Sequence, residues 1–208
     1  MLYTNLILFL TASLLVIAAP GPDNILVLTR GVTLGRRAAL VSAAAASVGL
    51  VCHSLFAAAG LSALLARSAV AFSVVKYAGA AYLIYLGIAA LLSRERFVLA
   101  ELEAPPVGLG SVFTQAVASN VLNPKIAVFF LAYLPQFANP SAGSAPQLLA
   151  LGLTFALLTW VVFSVVAFFS GGLGAWLRSR PRFARSLGWL TGSVLICLGL
   201  RLALPERR

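Results

Sequence analysis

Apolar runs of bilayer-crossing length recur along this chain with hardly a charge inside them, and this constrains the fold more than any single motif. Of 208 residues, 61% are hydrophobic and 10% charged, against roughly 25% charged in an average soluble domain. The mean hydropathy is +1.01. Six spans follow, over residues 5–29, 39–66, 69–93, 111–134, 147–173 and 184–204, each near the ~20 residues that a hydrocarbon core of ~30 Å requires. The expected fold is an all-α membrane protein of six transmembrane helices, with no room left for a soluble domain. The N-terminal run ending in "IAAP" resembles a secretory signal, but it lacks a basic leader and a good small-x-small site. It reads as a retained first helix.

The net charge of +10 does not point to nucleic acid, because the arginines gather at the ends of apolar runs, where lipid-facing topology places them. Arg30, Arg36, Arg37, Arg94, Arg96, Arg178, Arg180, Arg182 and Arg185 fall on one side; Arg67, Arg201, Arg207 and Arg208 fall on the other. That excess predicts the first, third and fifth connections in the cytoplasm of a prokaryotic cell and both termini in the periplasm. Cys52 and Cys197 each stand alone in an apolar run and read as small buried apolar residues, and no His, Cys and acid cluster suggests a metal. No phosphate loop or hydrolase signature occurs, so no cofactor and no enzyme activity are expected. Any work must draw on a gradient or a partner subunit.

Two stretches interrupt the spans at matching places. "APGPDN" (19–24) breaks the first span with Pro20, Gly21 and Pro22, and "VLNPKIAV" (121–128) breaks the fourth with Pro124. "YLIYLGIAAL" (82–91) in the third span likewise matches "SVLICLGLRL" (193–202) in the sixth. A repeated unit with an odd number of spans enters the membrane upside down, so the pattern predicts two inverted three-helix repeats, 1–93 and 111–208, joined by a linker at 94–110.

In hydrocarbon a broken helix is tolerated only where protein or a water-filled cavity covers the freed backbone, and paired breaks point to a transporter's binding site. Asn123 before Pro124 reads as a helix cap; Gly21, Asp23 and Asn24 are the candidates at the other break. Each break would begin a half-helix whose positive end attracts carboxylates. An aspartate at mid-span costs ~2.5–3.5 kcal/mol on insertion, which makes Asp23 the residue of greatest weight. Lys125 stands in the matching break, so the two could form a charge pair, either static or cycling a proton. Asn120 and Asn123 share a helix face and offer the donors and acceptors that a zwitterion needs; they could equally serve the backbone around Pro124. His53 reads as an interhelical hydrogen bond or a proton relay, and Lys76 as a snorkelling side chain. The small residues at 42–49 and the glycines at 171, 172 and 174 read as packing devices.

Three segments, "PGPDNILVLTRGVTLGRRAAL", "KYAGAAYLIYLGIAALLS" and "NPKIAVFFLAYLPQF", resemble the LysE/RhtB family of amino-acid exporters, the lysine exporter and homoserine–threonine efflux type. The resemblance runs over essentially the whole chain. It implies an inner-membrane secondary transporter exporting amino acids or derivatives, such as homoserine, threonine or homoserine lactone, in exchange for protons. Asn24, Asn120, Asn123 and Lys125 would then contact substrate, and Asp23 and Lys125 would couple it to the ion. The expected partners are the substrate, the proton gradient and the bilayer, with exposed small-residue faces leaving room for a homodimer. A metal-ion exporter should carry several acids in its spans, and an intramembrane redox carrier should carry cysteines in its breaks; this chain has neither.

Overall fold

The computed structural model describes residues 2–61, 68–92, 107–138 and 144–204. Within them the chain is helical throughout, and its helices account for six crossings. The first crossing is α1 (Leu2–Ala18) followed by α2 (Pro22–Thr33), bent by 51° at the intervening residues. The second is α3 (Arg36–Phe56), which loosens into a wider turn over Ala57–Leu61. The third is α4 (Ala69–Leu92). The fourth is α5 (Leu109–Val121) followed by α6 (Pro124–Val128), bent by 46°; α6 runs on through a π turn, Phe129–Tyr133, and a tight turn, Leu134–Phe137. The fifth and sixth are α7 (Ser144–Ser179) and α8 (Pro181–Ala203). The 36 residues of α7 span about 54 Å at ~1.5 Å each, well past the sequence estimate of 147–173. Most of the linker and five of the arginines used to orient the chain, Arg67, Arg94, Arg96, Arg207 and Arg208, lie outside the described residues.

The third span lies beside the sixth, and the second beside the fifth. α4 packs most extensively on α8, and α3 on α7, while the two broken spans meet at their breaks. The α4–α8 contact is antiparallel: Gly199 lies against Ala80 and Ile84, Gly192 against Gly87 and Leu91, and Gly188 nearest Ala90. A side chain at Gly192 would stand 2.6 Å from the carbonyl oxygen of Gly87, and one at Gly87 would stand 2.7 Å from that of Gly192. With no hydrophobic force between helices in lipid, such close backbone approach is what holds them. The small face at 42–49 is a packing face as expected, with Ser42, Ala43, Ala45, Ala46 and Gly49 buried. Gly171 and Gly172 of α7 are not, since Cβ atoms there would meet open space, while Gly174 is buried. Cys197 is likewise exposed and Cys52 only half-buried, against the expectation of two buried cysteines. Both corrections have one cause, since the outer surface of a membrane bundle is as apolar as its core and hydrophobicity cannot tell them apart.

The core is aromatic around the fourth span. Phe129 packs on Phe155 and Tyr133, and Phe130 packs edge-on to Phe155. Outward faces carry Leu157, Trp160, Phe169 and Trp189, the residue types suited to lipid contact. Arg30, counted above among the topology charges, is buried instead. Its guanidinium donates to Ser42 Oγ at 3.0 Å, to the Val112 carbonyl at 2.7 Å and to Gln115 Oε1 at 2.9 Å. A planar fork of donors can bind three acceptors at once, and here it ties α2 to α3 and α5. Arg36 lies with its guanidinium 4.0 Å over the Phe168 ring.

The packing can be tested by placing leucine at two glycines. Gly192→Leu meets rigid backbone and is expected to abolish monodisperse folded protein, a cost beyond the ~1–3 kcal/mol of ordinary overpacking. Gly171→Leu faces open space and should leave the thermal unfolding midpoint in detergent unchanged.

Candidate functional site

Two missing N–H groups create the site. The Val16 carbonyl would ordinarily accept from the fourth residue on, but that residue is Pro20, which has no N–H. Beyond it the chain is extended at Gly21, with φ −158° and ψ −179°, and α2 restarts with Pro22 at its first position. The last carbonyls of α1 are thus left inside the protein without helical partners, and leaving them bare would cost about 1–3 kcal/mol each. They are met by side chains. Lys125 Nζ donates to the carbonyls of Val16, at 2.9 Å, and Ala19, at 2.8 Å. Asn24 Nδ2 donates to the Ile17 carbonyl at 2.8 Å. A cation at a helix C-terminus also answers the negative end of the dipole. Gly21 makes room for it, because a Cβ there would lie 3.3 Å from Lys125 Nζ.

The second break is built by capping. Asn123 is extended, with φ −74° and ψ 109°, and its Oδ1 accepts from the Lys125 backbone N–H at 3.1 Å, with Pro124 at the first helical position. The cap expected from the Asn-Pro pair is present. In the other break the cap is Gly21, without a side-chain bond, and Asp23 sits one residue into α2. There its carboxyl group lies at the positive end of the dipole.

Asp23 joins the two breaks. Its Oδ2 accepts from Asn120 Nδ2 at 2.8 Å and from Asn123 Nδ2 at 2.9 Å. Asp23 is 5% exposed, Asn120 1%, Asn123 4% and Lys125 7%, so the network is closed off from bulk water. The expected direct Asp23–Lys125 ion pair does not form. The lysine is drawn to the carbonyls that Pro20 leaves open, and the carboxylate to two amides; sequence alone misses this because it ranks charge above backbone satisfaction. Asp23 Oδ1 and Asn120 Oδ1 remain buried without a hydrogen-bond partner.

Asp23, Asn24, Asn120, Asn123 and Lys125 all line one cleft, together with Leu50, Phe155, Thr159 and Phe163. In this conformation the cleft is narrow, with room for about one water. Sequence reading missed Thr159, whose buried hydroxyl donates to the Phe155 carbonyl at 2.9 Å; nothing in its local sequence marks it. His53 is a supporting residue: its Nε2 donates to the Asn120 carbonyl at 3.3 Å, and its ring packs on Phe130. Asn120 is pressed against α3, where Gly49 leaves space that any Cβ would fill. Among the described residues no three His, Cys, Asp or Glu side chains gather to hold a metal.

The division of labour within the network has a stability signature. Lys125→Met would orphan two buried carbonyls and should lower stability by about 1–3 kcal/mol for each. Asp23→Asn keeps an oxygen for both amides and removes a group that is costly to ionise when buried, so its unfolding midpoint in detergent should match or exceed that of the parent.

The chain matches the family model described as LysE type translocator over residues 14–206. It is 34% identical over 195 residues to the homoserine/homoserine lactone efflux protein of Salmonella typhimurium, covering 94% of each chain. It is 33% identical over 185 residues to an uncharacterised membrane protein of Vibrio cholerae, covering 89% of each. A membrane protein of Bacillus subtilis, YrhP, is 27% identical over 208 residues, 96% of this chain and 99% of that one. No solved structure matches the chain. The multi-pass helical fold and the match along nearly its whole length make this chain a member of the LysE type translocator family, transporters rather than enzymes.

Proposed function

We propose that this protein exports small amino acids or their derivatives, homoserine and its lactone foremost, across the cytoplasmic membrane in exchange for protons. The observation that carries the reading is Asp23, an acid buried between two broken helices with one carboxylate oxygen left without a partner. Intramembrane acids of this kind mark ion and substrate pathways. The efflux protein of Salmonella supplies the substrate class by its printed name, at 34% identity.

The cleft lies where a repeat interface would place it. Side-by-side packing of the third span on the sixth and the second on the fifth is what a two-fold axis in the membrane plane would generate, which supports reading 1–93 and 111–208 as inverted repeats. Alternating access then comes from one repeat or bundle rocking against the other. The arginine excess puts the first, third and fifth connections in the cytoplasm and both termini outside. A cleft too narrow for an amino acid fits a closed state of that cycle.

Proteoliposomes test this directly. Labelled homoserine should exchange across the membrane and accumulate uphill when a proton gradient is imposed. Asp23→Asn should lose the uphill accumulation; a variant that still concentrated homoserine against its gradient would show that Asp23 does not couple the proton.

A further inference from the structure

Resting on the transport reading above, we infer that Asp23 Oδ1 is the seat of the transported molecule's ammonium group, and that the site reads this ammonium rather than a free carboxylate. The argument is an accounting of donors and acceptors around the cleft. Every side-chain nitrogen lining it already has at least one protein acceptor. Lys125 Nζ serves Val16 and Ala19, Asn24 Nδ2 serves Ile17, and the amide nitrogens of Asn120 and Asn123 both serve Asp23 Oδ2. The Thr159 hydroxyl hydrogen goes to the Phe155 carbonyl.

The side-chain atoms of the cleft with no partner are both acceptors, Asp23 Oδ1 and Asn120 Oδ1. Asn120 Oδ1 is turned toward Gly49 of α3, which leaves the aspartate oxygen. A group seated against that oxygen must bring donors. A primary ammonium brings three, with a charge opposite to the carboxylate; a substrate carboxylate would bring only more acceptors. Lys125 does not answer it, because its ammonium is held by the end of α1. The rest of the wall, Val16, Ile17, Leu50, Phe155 and Phe163, is apolar and suits a neutral remainder such as a lactone, ester or amide.

Exchange follows from this placement. The proton and the ammonium compete for one oxygen, so neither can occupy it while the other does. Binding from the cytoplasm displaces the proton from Asp23 to that side. After reorientation, a proton from outside replaces the departing ammonium.

The test measures binding to the purified, unmodified protein by calorimetry, alongside homoserine counterflow. The panel is homoserine, homoserine lactone, 2-amino-4-hydroxybutanamide, 4-hydroxybutanoate and N-acetylhomoserine. The lactone and the amide should bind within about threefold of homoserine. The deaminated and acetylated compounds should bind at least about tenfold more weakly, the loss expected when ~1.4 kcal/mol of recognition is removed. Asp23→Asn, still folded by its unfolding midpoint, should lose the preference for ammonium compounds. Equal binding of 4-hydroxybutanoate, loss of binding by the lactone and amide, or no binding by any ammonium compound would each overturn the inference. Selective ammonium binding without counterflow would instead uphold the subsite and remove the transport reading.

Discussion

The structure depends on a backbone requirement. Pro20 cannot donate to the Val16 carbonyl, and in a membrane interior a carbonyl without a donor is too costly to leave. Lys125, from the opposite half of the chain, supplies that donor across 109 residues of sequence. Its charge in turn is tolerable because the last turn of α1 presents two carbonyls to it. Asp23 mirrors this at the start of α2, taking amide donors from Asn120 and Asn123. The backbone of the first break is thus completed by a side chain of the second, and Asp23 of the first binds the side-chain amides of the second.

That reciprocity sets the surrounding architecture. The two breaks must lie side by side, so the remaining spans pack around them in matched pairs, and the closest of these, α4 on α8, is held by glycines whose backbones nearly touch. Arg30 performs a similar task about two turns further along α2, using neutral acceptors on α3 and α5. Aromatic packing by Phe129, Phe130 and Phe155 backs the cleft.

Much of this was legible in the sequence. The spans followed from apolar length, the breaks from proline beside an ionisable residue, and the Asn123 cap from Asn-Pro chemistry. The residues that meet at the site, Asp23, Asn24, Asn120, Asn123 and Lys125, were all named from residue type and position. Their bonding was not legible. Charge complementarity suggested that Asp23 and Lys125 pair directly, whereas the lysine goes to carbonyls orphaned by a proline in another span, which only three-dimensional proximity reveals. The same limit explains Arg30, read as a surface charge and found buried, and Gly171 and Gly172, read as packing glycines and found facing open space. In a membrane chain both faces of a helix are apolar, so composition locates a span without telling which side of it touches protein.

Asp23 is the only aspartate in the chain, which allows its ionisation to be watched alone. Protein labelled with carbon-13 at the aspartate carboxyl, examined by infrared difference spectroscopy, would report that one group as a primary amine substrate is added. The account calls for loss of a protonated carboxyl band and gain of an ionised carboxylate band on substrate binding. An aspartate signal that does not change when substrate binds would contradict it.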